Sequence, residues 1–216
     1  MSTIAAQVAN KLLEIRAIKL QPSDPFTWAS GLKSPIYCDN RILLSYPKIR
    51  DFIKIALKDK SKAFGDFDVV AGVATAGIAH SALLADAIEK PLVYVRAKAK
   101  AHGRQNKIEG HLEPGSKVLV VEDLISTGKS SLEACDALID AGAEVIGVLA
   151  IFTYGFDISI DTFSEREIPL DTLSNYRNLI YSAKDMEYIN EDQMSTLEEW
   201  NKDPKAWSDK FQQTDI

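Results

Sequence analysis

Cysteine is nearly absent: Cys38 and Cys135 are the only two in 216 residues. They lie far apart and without metal-like spacing, which excludes a disulfide framework and a cysteine zinc site as the basis of the fold. No apolar run approaches the roughly 18 residues of a membrane span. Residues 1–11 lack the basic start and apolar core of a secretory leader, so the cytoplasm is the expected compartment. Positive charge is also in deficit, with a formal net charge of −6. Nucleic-acid binders carry an excess of Lys and Arg, so no nucleic-acid or membrane partner is expected. Repeats and low-complexity tracts are missing as well. What remains is a chain long enough to bury a sizeable core, read as one domain over residues 1–216.

Hydrophobic periodicity orders that domain. Ile4, Val8, Leu12 and Ile15 fall at helical spacing within residues 3–17, and Ile49, Phe52, Ile53 and Leu57 do so within 47–59. Strands are expected around Ile36–Cys38, over 67–73, 91–95 and 117–121, and over 144–152. An Ala-rich helix spans 77–87, and a second runs from the 117–121 strand to Ala141, with Gly142 as its stop. Strand and helix alternating at short spacing imply parallel pairing with right-handed crossovers. The fold class is α/β. A C-terminal helical tail, about 190–216, carries the stripe Met194, Leu197 and Trp200, a break at Asp203-Pro204, and then Trp207 and Phe211. Packing or a dimer contact is its expected use.

The chemistry concentrates in residues 118–131, Val-Leu-Val-Val-Glu-Asp-Leu-Ile-Ser-Thr-Gly-Lys-Ser-Ser. The apolar run Val118–Val121 has no polar alternation, as in a strand covered on both faces. Glu122 and Asp123 follow it and can accept hydrogen bonds from neighbouring sugar hydroxyls or hold a cation's water shell. Ser126, Thr127, Gly128 and Ser130 bring hydroxyls and open backbone N–H groups to a helix start, a combination that binds phosphate. Ordinary N-capping accounts for one such residue and not for the whole run. Gly128-Lys129-Ser130 matches the end of the nucleotide P-loop, but Asp123 stands where that loop needs its leading glycine.

On these residues, 118–131 resembles the phosphoribosyl-pyrophosphate (PRPP) motif of the type I phosphoribosyltransferases, and Glu-Asp-Leu-Ile-Ser-Thr-Gly is similar to the branch that uses orotate. Two further segments carry the same resemblance. Residues 96–110 lack an apolar period and hold Arg96, Lys98, Lys100, Arg104 and Lys107 against Glu109 alone, a net +4. A charge run of this kind is commonly a solvated surface. Here Arg96, Lys100, His102 and Gly103 match the family's catalytic loop, with Ala97 at one of its lysine positions and Lys98 as the substitute. Residues 26–41 resemble the orotate-side segment through Phe26, Ser30-Gly31, Ser34-Pro35 and Tyr37. Ala29 stands at a position that is often lysine, and Ile151–Gly155 lacks an arginine often found there. Lys33 and Arg41 are then the nominees for the orotate carboxylate.

Residues 71–78, with Gly72 and Gly77, are similar to the family's pyrophosphate loop. Read from the residues alone, these glycines serve either an anion cradle or close helix-on-sheet packing. The resemblance implies a central parallel sheet flanked by helices, with a small N-terminal hood from residues 1–45. It also implies phosphoribosyl transfer from PRPP to orotate, Mg²⁺ bound mainly through PRPP with no protein metal ligand, and a homodimer in which the 96–104 loop acts across the interface. Lys100, His102 and Asp123 become the catalytic residues. Arg96, Lys100, His102, Glu122, Asp123, Leu124, Ile125, Ser126, Thr127, Gly128, Lys129, Ser130 and Tyr37 become the substrate contacts. A purine phosphoribosyltransferase or a PRPP-sensing regulator without catalysis stay open as alternatives. His80 and His111 are read as structural.

Overall fold

The computed structural model describes residues 3–28, 30–97 and 107–214. The chain forms two compact units, one of residues 44–173 and one of residues 1–43 with 174–216. In chain order the elements are α1 (Ile4–Glu14), β1 (Ile18–Leu20), β2 (Phe26–Thr27), β3 (Lys33–Ser34), β4 (Ile36–Cys38) and, after a 3₁₀ segment over Asn40–Ser45, α2 (Pro47–Ser61). Then come β5 (Val69–Val73), α3 (Gly77–Ala87), β6 (Leu92–Val95), β7 (Ile108–Glu109), β8 (Lys117–Ile125) and α4 (Lys129–Asp140). The chain continues through β9 (Glu144–Thr153), α5 (Asp157–Glu165), β10 (Leu170–Asn175), α6 (Tyr176–Asp185), α7 (Glu191–Lys202) and α8 (Pro204–Thr214).

Unit 44–173 is built on a six-stranded sheet in the order β10-β9-β8-β5-β6-β7. β6, β5, β8 and β9 are mutually parallel, and β7 runs antiparallel against β6. All of β5 and residues Val118–Val121 of β8 are buried, which is why their sequence shows no polar alternation. From β5 the chain winds one way to β6, and from β8 the other way to β9. The crevice at the carboxyl ends of β5 and β8 is therefore the topological switch point, where open α/β sheets take their ligands. α3 and α4 both start there.

The 117–121 strand expectation is too short. β8 runs on through the acid pair to Ile125, because the equally long β9 keeps pairing with it at Glu122↔Ala150, Leu124↔Phe152 and Ile125↔Thr153. The acids thus sit inside a strand rather than after one. The helix expected over 3–17 ends at Glu14, since Ile18–Leu20 is claimed by antiparallel pairing with Ile36–Cys38.

In the other unit, β2 and β3 form a hairpin and β1 pairs with β4. α1 packs on α6, α7 on α8, and α8 on β3. The apolar stripe foreseen in the tail is core: Trp200 is fully buried, edge-on to Trp28 at 5.7 Å and tilted against Tyr176 at 5.4 Å. Trp207 is buried and stacks on Phe211, and Ser208 Oγ accepts the Lys33 N–H at 2.9 Å. None of the helices among the described residues is long and apolar enough to cross a membrane.

Candidate active site

The turn at 126–128 is set by where β8 ends and how α4 begins. Gly128 is the N-cap of α4 at φ 81°, a left-handed conformation that glycine alone adopts freely, and no side chain caps the helix. Its first N–H groups therefore stay open at the positive end of a 12-residue helix. Thr127 is exposed and Ser126 half-buried beside them. Lys129 points to solvent with its side chain 82% exposed, 3.9 Å from Glu133.

The two acids are not equivalent. Glu122 is buried, and its Oε1 accepts the Asp123 N–H at 3.0 Å. Its Oε2 accepts the hydroxyls of Ser130 at 3.3 Å and Ser131 at 3.2 Å. Burial first, and then the charge of Asp123, push the Glu122 carboxyl well above the usual carboxylate range. Asp123 is only half-buried, as is Leu124. The side chain of Ile125, one of the assigned contacts, lies in the core, and its carbonyl accepts the Tyr154 N–H at 3.0 Å and the Thr153 hydroxyl at 3.2 Å. Ser131, given no role from the sequence, anchors Glu122 from the first turn of α4. Nine residues separate the two, and only the return of the chain from strand to helix brings them together.

Beside β8, Gly72 and Gly77 allow close packing of α3 on the sheet. A Cβ on Gly72 would meet the Ser81 hydroxyl, and one on Gly77 would lie 2.7 Å from the Val121 carbonyl and 3.3 Å from Glu122 Oε1. Both glycines let α3 press onto the sheet, and Glu122 thereby sits at the start of α3 as well as α4. Residues 74–76 form the turn ahead of α3, with a cis peptide at Ala74–Thr75. Arg96 closes β6; its N–H donates to the Lys107 carbonyl at 2.8 Å and its guanidinium pairs with Glu109 at 3.3 Å. Ala74, Arg96, Lys107, Ser130 and Glu133 line one crevice at the switch point. The fold thus brings the start of the basic segment to the phosphate helix, although 34 residues separate Arg96 from Ser130. Lys98, Lys100, His102, Gly103 and Arg104 lie outside the described residues.

In the other unit, the Ser34 hydroxyl donates to the Ile36 carbonyl at 2.9 Å and accepts the Ile36 N–H, the turn chemistry expected of Ser34-Pro35. Tyr37 is 41% exposed, its ring 5.6 Å from that of Phe26. An exposed aromatic face of this kind can take a flat heterocycle. Arg41 forks Asp39 through Nε at 2.6 Å and a terminal nitrogen at 2.9 Å, and the pair holds the Asp39 carboxyl below its ordinary range. With that guanidinium engaged, Lys33 is the freer of the two nominees for a carboxylate. Ala29 lies outside the described residues. Tyr154 is buried between Phe152 and Phe156 and serves the core. His80 is buried in α3, and His111 is exposed with Nε2 2.6 Å from Glu113.

This geometry has known counterparts. The phosphoribosyl transferase domain family matches residues 40–175. An orotate phosphoribosyltransferase of Listeria innocua is 55% identical over 206 residues, covering 95% of this chain and 99% of that protein. That of Phocaeicola vulgatus is 52% identical over 208 residues, 96% of this chain and 98% of that one. The crystal structure of orotate phosphoribosyltransferase from Aeropyrum pernix superposes with a TM-score of 0.73 at 26% identity, over 85% of this chain and 99% of the other.

Proposed function

This chain belongs to the phosphoribosyl transferase domain family and, within it, to the orotate phosphoribosyltransferases, and on that premise we propose how its residues carry out the transfer. The reaction is orotate plus PRPP giving orotidine 5′-monophosphate and pyrophosphate, a step of pyrimidine biosynthesis. The observation that carries the assignment of roles is the acid pair of β8 leading into an uncapped helix start at the switch point of the sheet.

A ring nitrogen of orotate attacks C1 of the ribose as the bond to pyrophosphate breaks. With bond breaking ahead, the sugar passes through an oxocarbenium-like state, and the protein contributes position and charge rather than a nucleophile. Asp123 and Glu122 serve the ribose hydroxyls, with Asp123 the more accessible and Glu122 also holding the start of α4 through Ser130 and Ser131. The negative charge of the half-buried Asp123 lies beside the cationic sugar. The open N–H groups and hydroxyls of Ser126–Ser130 cradle the 5′-phosphate, and the helix dipole adds about 0.3–1 kcal/mol. Arg96, Lys100 and His102 neutralise the departing pyrophosphate, with Lys100 or His102 giving it a proton. Tyr37 lies against the pyrimidine and Lys33 meets its carboxylate.

Mg²⁺ fits the same donor set. The ion would be held mainly through oxygens of PRPP and water, with Asp123 able to accept hydrogen bonds from its water shell and no carboxylate bound directly, and it would spread the charge of the pyrophosphate. A cytoplasmic homodimer, with the 96–104 loop of one subunit serving the other, completes the proposal. The test offers PRPP and Mg²⁺ with orotate, adenine, hypoxanthine or uracil in turn and follows pyrophosphate release. Release with orotate alone is expected. Release with a purine base replaces the base assignment, and PRPP binding without release in any mixture makes the protein a sensor.

A further inference from the structure

No side chain caps the start of α4, as none caps α2, α3 or α5. The hydroxyls of its first turn, Ser130 and Ser131, donate to Glu122. The open N–H groups are what a phosphate needs, so the turn must keep its shape by some other means.

A ring lies directly against it. A Cβ on Gly128 would stand 2.6 Å from Cε2, 3.2 Å from Cδ2 and 3.6 Å from Cζ of Phe163, so the ring occupies the space that any other residue at 128 would fill. Phe163 is buried in α5 as part of the core cluster, and its carbonyl accepts the Ile168 N–H at 3.1 Å. Just past the end of α5, at its C-cap, Arg166 forks the carboxylate of Asp136, two turns into α4. α5 thus meets α4 at two points, the Phe163 ring at Gly128 and the Arg166–Asp136 pair.

We propose that Phe163 is a positioning residue for phosphoribosyl transfer: its ring braces the Gly128 turn from below and keeps the N–H groups of α4 aimed at the 5′-phosphate. The inference rests on the reading of this turn as the phosphate site and adds a residue that touches no substrate. The brace replaces a cap, leaving the helix start rigid and still unsatisfied. A side chain in the cap position would give the same rigidity and consume a donor.

Phe163→Ala and the milder Phe163→Leu are compared with the parent by PRPP binding calorimetry with Mg²⁺, by the separate KM values for PRPP and orotate, and by melting temperature. Misplacement of a positioning group costs up to about 100-fold, so Phe163→Ala is expected to weaken PRPP by roughly 10–100-fold while the KM for orotate stays near the parent's. Phe163→Leu falls between, and alone decides if the alanine variant does not fold. Gly128→Ala, damaging in the parent, costs less in the Phe163→Ala background because the ring it would strike is gone. A lower melting temperature with unchanged PRPP affinity overturns the proposal, as does a parallel rise in both KM values or strict additivity with Gly128→Ala. A parent protein that neither binds PRPP nor releases pyrophosphate with orotate overturns the functional reading instead, and that control precedes the variants.

Discussion

At the residue scale, Glu122 shows how much an acid's surroundings change its work. The pattern Glu-Asp after an apolar run pointed to sugar hydroxyls, and it did so without distinguishing the two carboxylates. The structure separates them by burial: Glu122 is enclosed among Asp123, Ser130 and Ser131, while Asp123 remains half-buried. Enclosure makes the charged form costly, so the folded protein holds a proton on Glu122 at pH values where the unfolded chain, near a pKa of about 4.3, has lost it. Between those two pKa values the unfolded state binds fewer protons than the folded one. Stability contributed by the protonated form is therefore complete below the unfolded pKa and is lost as pH rises through the folded pKa. Glu122→Gln stays neutral throughout and should gain melting temperature over the parent as pH rises above the unfolded pKa, by a margin that widens until pH passes the folded pKa. A margin that is flat across that range sinks the claim that Glu122 is held protonated by its enclosure.

At the element scale, the local patterns were legible wherever burial is uniform. β5, α3 and the first half of β8 follow from continuous apolar runs and an Ala-rich helix bounded by glycines, since short buried strands and close-packed helices leave that composition behind. The length of β8 was not legible, because Glu122 and Asp123 read as the end of a strand and only the pairing with β9 carries the ladder past them. The tail was half legible. Met194, Leu197 and Trp200 at helical spacing announced α7, but their partners Trp28 and Tyr176 lie far away in sequence. α7 is a structural member of the unit formed by 1–43 and 174–216, not an accessory. Removing a fully buried indole leaves a large cavity, so Trp200→Ala should cost about 3–5 kcal/mol in urea denaturation. A loss within the range of an ordinary surface substitution would return α7 to the role of a detachable tail.

At the scale of the whole molecule, the assignment of the basic loop to the partner's site is open to a direct test. Lys100→Ala and Asp123→Asn should each lower turnover by roughly 10²–10³-fold, as the loss of one stabilising donor does elsewhere. If the loop serves the other subunit, unfolding and reassembling the two variants together yields hybrid dimers with one intact site each. Random pairing then restores about a quarter of the parent's activity, measured as orotidine 5′-monophosphate formed. No recovery, with hybrid dimers demonstrated by tagged subunits, places the loop over its own subunit's site. By itself the sequence determined the α/β class, the strand-turn-helix of 118–131 and the family, because each is written in a contiguous stretch whose residue types answer to local chemistry. Which acid is enclosed, how closely α3 packs at Gly72 and Gly77, that Ile125 belongs to the core, and that Phe163 lies beneath Gly128 were decided only by tertiary structure. Each of those depends on which distant segment comes to lie alongside, and side-chain burial is set by that neighbour and not by the residue's own place in the chain.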